Sequence, residues 1–231
     1  MICSPYMERI AKIKDRVKAD ELVLCNSIFA SKRDTKEKTW ENDMGDMLYQ
    51  SDVYTFKSNF YINRRIINCW ISIMNARECL KSDESPSRLF LHSDCMHKFF
   101  CYYLKSQRHP SVKALSTMVA KKQNLPWSVI KSEDNCGLYL MRHMECYMGE
   151  RDGMWETGLT GKGMIDSAAF LGLRYKYMAA IFTSVINKFK EMIDKELTEF
   201  KKLDENGRAK LLAEAETRNL KNKRKRGGRI G

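Results

Sequence analysis

Three stretches of this chain space their apolar residues as one face of an α-helix does, and few segments alternate as a half-buried strand does. A chain patterned this way is restricted to a mostly helical core. The first stretch is INRRIINCWISIMNARECL at 62–80, where Ile62, Ile66, Cys69/Trp70 and Ile73/Met74 recur at helical intervals. The second is CGLYLMRHMECYM at 136–148. The third runs from about Ser167 to Phe200, with Met178, Ile181/Phe182, Val185, Phe189, Met192/Ile193 and Leu197 as its apolar stripe. SDESPSR at 82–88 ends the first, because proline disfavours helical geometry in the residue before it. A weaker spacing of Met7, Ile10, Ile13 and Val17 predicts a surface helix over 1–20, and the polar 30–46 with its KRDTKEK run predicts a solvated loop. LFLHS and FFCYYL, within 89–104, suit one or two short strands or a helix end. SVKALSTMV, between Pro110 and Pro126, suits a short helix, and a glycine-rich break follows the second long one. Beyond Lys201 the chain reads as an exposed helix fraying into a basic tail.

The length of 231 residues suits one ordinary domain with appendages. With 43% hydrophobic and 30% charged residues, the composition is that of a foldable chain rather than a disordered or membrane one. No segment approaches the ~18 consecutive apolar residues of a membrane span. The opening MICSPYMERIAKIKD lacks the apolar core of a secretory signal, which points to an intracellular protein whose eight cysteines are free thiols. Those cysteines form no C-x-x-C pair. Cys95, His97 and Cys101 offer part of a metal site, but no fourth ligand is evident and structural zinc takes four, so neither a metal nor a cofactor is expected. The net charge of +12 suggests an acidic partner such as nucleic acid. Seven of those charges (Arg218, Lys221, Lys223, Arg224, Lys225, Arg226, Arg229) lie in the last fourteen residues, which leaves +5 for residues 1–217. The body is thus mildly basic. The tail resembles a nuclear import signal that could also contact phosphates, so the expected partners are an import receptor or nucleic acid and the expected location is nuclear or nucleocytoplasmic.

Cys136 stands where the second helix begins, next to Gly137. A thiol at a helix N-terminus meets the positive end of the macrodipole, which favours the thiolate. Gly137 would leave room for a substrate backbone, and Asp134 or Asn135 could cap the helix with a side-chain oxygen.

The segment from Trp127 through Ser132, Glu133, Asp134, Asn135 and Cys136 to Met141-Arg-His-Met-Glu145, Tyr147 and Gly149 resembles the nucleophile region of the ubiquitin-like-protein (SUMO) specific cysteine proteases, closest to the plant, transposon-associated branch. That pattern is a Trp, a polar loop, Asp-Cys-Gly, an apolar triplet, then Met-Arg-His-Met-Glu and an aromatic. Tyr61 to Trp70 with Glu84 to Phe90 is similar to the first helix of that domain and its exit, and Leu173 to Ala179 to its terminal helix. The resemblance covers about residues 50–190. It implies a papain-like α+β domain over 50–200, preceded by an N-terminal extension (1–49) and followed by a charged helix and basic tail (201–231). It further implies a cysteine-type peptidase acting on a ubiquitin-like protein or SUMO conjugate, with Cys136 as nucleophile and no cofactor.

In that family a histidine takes the thiol proton, an aspartate holds the imidazole and an upstream glutamine binds the developing oxyanion. Here no histidine precedes a tryptophan, and His97, ahead of FFCYYL, is the candidate base. From Lys98 to Ser132 there is neither Asp nor Glu, the position six before Cys136 is Ile130, and Asn135 stands where the family has Asp. A deletion in the central sheet near 93–99 accounts for all of this and for the scarcity of strands. The expected fold is therefore a papain-like domain truncated in its central sheet, mostly helical, with a long C-terminal helix and with weak or absent catalysis.

Overall fold

The computed structural model describes residues 15–58, 60–78, 88–91, 105, 108, 112–117, 133–147, 157–159 and 163–227. His92, Cys95, His97, Cys101, His109, the 93–99 junction and the first fourteen residues lie outside the described residues, as do most of 89–104 and of the glycine-rich break.

Eight α-helices and one hairpin are described. They are α1 (Ala19–Ala30), β1 (Lys38–Glu41), β2 (Met47–Tyr49), α2 (Gln50–Val53), α3 (Arg64–Glu78), α4 (Val112–Thr117), α5 (Cys136–Cys146), α6 (Gly163–Phe182), α7 (Lys190–Lys202) and α8 (Glu205–Gly227). The architecture is mostly helical with a two-stranded sheet, consistent with an α+β layout. No helix among the described residues is long and apolar enough to cross a membrane.

The helix over 1–20 is not seen where it can be checked, since residues 15–18 are non-helical and α1 begins at Ala19. Glu21 draws its start by accepting from the Lys18 backbone N–H at 2.9 Å. Leu24, Cys25, Ile28 and Phe29 of α1 are buried against α6, α7 and α8. Part of the expected loop at 30–46 is strand: β1 and β2 pair antiparallel with Trp40 opposite Leu48, both fully buried. Gly45 turns the hairpin at φ +86°, a conformation that a residue with a Cβ rarely takes. Residues 19–49 therefore share one hydrophobic core with α3, α5, α6 and α7.

α3 matches its predicted stripe, burying Ile66, Cys69, Trp70, Ile73 and Met74. Asn63 starts it by accepting from the Arg65 N–H at 2.9 Å. The single helix expected over 167–200 is two helices, and Val185, assigned to its apolar stripe, is exposed. The hairpin divides them. Trp40 donates its indole N–H to the Ile181 carbonyl at 2.9 Å, and the Lys188 N–H donates to the Glu41 carbonyl at 2.9 Å. The Asn187 side chain donates to the Phe182 carbonyl at 3.1 Å and accepts from the Phe189 N–H at 3.0 Å. The last carbonyls of α6 thus find partners outside a continued helix.

Candidate functional site

Cys136 is the first residue of α5, directly after a 3-10 turn over Glu133–Asn135. Its side chain is exposed, whereas Cys25, Cys69 and Cys146 are buried. Burial pushes the thiols of Cys25 and Cys69 far above the ordinary cysteine range, which makes them inert. Among the described cysteines, Cys136 is the accessible one.

Gly137 has a different role from the one its sequence position suggested. It is buried, and a Cβ there would lie 2.6 Å from the Ile62 Cβ. Glycine is required so that α5 can pack closely on the chain entering α3, and the space beside it is filled by Ile62 rather than open to a substrate. The side-chain cap expected at Asn135 is also absent, since that side chain makes no capping hydrogen bond to α5. Asn135 is engaged elsewhere, by Arg174.

Arg174 projects from α6 and is almost fully buried. Its guanidinium donates to the carbonyls of Thr55 at 2.8 Å, Lys57 at 2.9 Å and Phe60 at 2.9 Å. It also donates to the Asp134 carbonyl at 3.0 Å and to Asn135 Oδ1 at 3.0 Å. One planar fork therefore joins the 55–60 loop to the two residues in front of Cys136. The far end of α5 is held similarly. Arg88 donates to the carbonyls of Met144 at 2.9 Å and Tyr147 at 2.8 Å, and pairs with Glu78 at 2.8 Å. A cation there satisfies terminal carbonyls and complements the negative end of the helix.

The middle of α5 is fastened by a buried ion pair. Arg142 donates to Glu145 Oε2 at 2.7 Å and, through Nε, to the Thr157 carbonyl at 2.8 Å. The Tyr177 hydroxyl donates to the same Glu145 oxygen at 2.9 Å. Burial pushes that hydroxyl well above its usual pKa, and the Glu145 charge adds to the rise. Trp70 donates its indole N–H to the Met141 carbonyl at 3.1 Å, with its ring 4.6 Å from that of Tyr177. Arg142 and Glu145 of the Met-Arg-His-Met-Glu run are thus structural. Arg174 lies within the Leu173 to Ala179 stretch, whose sequence assigns it no role of its own. The available signal was a cation next to Leu173 and three residues before Tyr177, within a helix whose neighbours are apolar.

His143 lies seven residues after Cys136 on the same helix, about 10 Å along the axis at ~1.5 Å per residue, beyond the ~3 Å of direct proton transfer. Burial lowers its imidazole pKa to about 4. The ring is therefore neutral in the folded chain at pH 7, while the unfolded chain takes up the proton near its ordinary value of 6.5. Its contribution to stability is full above about pH 6.5 and is lost as the pH falls towards about 4. His143→Leu is expected to remove that part of the dependence. The check is the difference in thermal midpoint between the two proteins from pH 7 to pH 4; a difference that stays constant would contradict it.

No family model matches the chain, and no curated protein or solved structure matches it. Among the described residues no group of three or more His, Cys, Asp and Glu side chains could hold a metal ion.

Proposed function

We infer that the chain is a cysteine-peptidase-type protein of the ubiquitin-like-protein (SUMO) protease class, a papain-like domain shortened in its central sheet. Cys136 is its thiol, and turnover is weak or nil. The observation that supports the reading is the seat of Cys136: an accessible thiol on the first residue of a helix that arginine clamps fasten at both ends. A reactive thiol needs that rigidity, because small misplacements of a reacting group are costly in rate. The departures in sequence around the expected base, acid and oxyanion donor argue for a protein that engages a SUMO conjugate without turning it over efficiently. His97 is retained as the candidate base of whatever turnover remains.

Alkylation followed by peptide mapping tests this. Iodoacetamide should modify Cys136 ahead of Cys25, Cys69 and Cys146, a saturating SUMO protein should slow that modification several-fold, and a SUMO precursor should remain uncleaved. If SUMO gives no protection, the class assignment fails. A SUMO vinyl-sulfone adduct that disappears in Cys136→Ser would instead show an efficient peptidase.

A further inference from the structure

The two halves of α8 differ in charge and in what they pack against. From Glu205 to Thr217 the helix carries Arg208 and Lys210 against Glu205, Glu214 and Glu216, a net charge of −1. From Arg218 to Arg226 it carries six cations (Arg218, Lys221, Lys223, Arg224, Lys225, Arg226) and no acid. The division falls where the helix is tied to the body. Ala215 is buried, and Arg218 donates to the carbonyls of Ala30 at 3.4 Å and Ser31 at 3.1 Å, at the end of α1. The basic run continues from that tie as α-helix to Gly227.

Helical geometry decides how those cations are distributed. At 3.6 residues per turn the six positions fall at about 0, 300, 140, 240, 340 and 80° around the axis, so no sector wider than about 100° lacks one. A basic helix that lies on a membrane needs an apolar face, and Leu220 is the single large apolar residue between Arg218 and Gly227. An acidic protein surface would engage one side and leave the other cations unused. A groove with anionic walls on both sides uses the five that lie beyond the Arg218 tie. The major groove of B-form DNA is about 12 Å wide, and a helix with its side chains is about 10–12 Å across. The major groove of an RNA duplex is too narrow to admit side chains in this way.

We propose that the 218–226 end of α8 is a DNA-binding helix that enters the major groove of duplex DNA and is held there chiefly by phosphate contacts, without sequence preference. The proposal does not depend on the reading of Cys136.

Fluorescence anisotropy of a labelled duplex of about 20 base pairs, titrated with the full chain between 50 and 200 mM salt, tests it. The wild-type chain should bind with a slope of log K against log salt of about −4 to −5, as expected for some five neutralised phosphates. The K223Q/R224Q/K225Q/R226Q variant should bind at least ~10-fold more weakly, with a slope near −1. Asn222→Pro keeps every cation and interrupts the helix, and it should also weaken duplex binding. Cys136→Ser should bind as the wild type does, and the thermal midpoint reports whether each variant keeps its body folded. Undiminished binding by the quadruple variant or by Asn222→Pro would overturn the proposal. So would tighter binding to an RNA duplex, to polyglutamate or to phosphatidylserine vesicles at equal salt.

Discussion

Replacing Arg174 with methionine should lower the unfolding free energy by about 3–5 kcal/mol and loosen the loop in front of Cys136. A hydrogen bond from a charged donor contributes about 1.5–3 kcal/mol, and Arg174 makes five, four of them to backbone carbonyls. Methionine fills much of the volume but leaves those acceptors without their donor, and only part of the loss returns as water enters. Arg174→Lys keeps the charge yet offers a compact ammonium in place of the fork, so it should recover a minor share. Urea unfolding measures the loss. Hydrogen exchange at the amides of 134–138, measured in native buffer, separates a local effect from a global one, and those amides should gain more exchange than the Trp40–Leu48 hairpin. A variant that loses less than about 1 kcal/mol, or that exchanges evenly throughout, would show that Arg174 does not hold the Cys136 loop.

The second large effect is expected at Glu145. Glu145→Gln removes the Glu145 charge from the buried Arg142 guanidinium and should destabilise the chain by about 3–5 kcal/mol, the usual cost of removing one partner from a buried pair. The pair itself need not stabilise the fold, because desolvation of two charges offsets much of their attraction. An Arg142→Met, Glu145→Leu, Tyr177→Phe triple variant removes the charges together with the hydroxyl that would otherwise lose its acceptor. It should recover most of the stability in chemical unfolding. Failure of the triple variant to exceed the single one would mean that the polar network contributes net stability. Either way the measurement isolates the helix that carries Cys136, since Arg142 and Glu145 both lie on it.

Much of the helical content was legible in the sequence. The stripe in 62–80 became α3 within two residues at either end, and the helix beginning at Cys136 starts at that residue. α1 was missed because its apolar residues, Leu24, Cys25, Ile28 and Phe29, are interrupted by polar ones and face three different helices. The break between α6 and α7 was missed because both helices bury one stripe, so periodicity runs on through a turn that Trp40 and Asn187 stabilise from outside it. Gly137 was assigned to substrate approach because sequence shows that a glycine is needed but not what comes close to it. Ile62, seventy-five positions earlier, supplied the answer.

The sequence by itself determined the helical character of the chain, the position of Cys136 at a helix start, the mild charge of the body and the concentration of cations at the C-terminal end. These follow from local periodicity, local propensity and counting, which need no knowledge of distant residues. Tertiary structure alone decided what holds the site. The arginines at 88, 142 and 174 carry the same charge in sequence, yet each became a clamp because the fold brought backbone carbonyls to it from other parts of the chain. A hydrogen bond between residues 40 or 119 positions apart depends on the packing of every element between them. No local pattern records it.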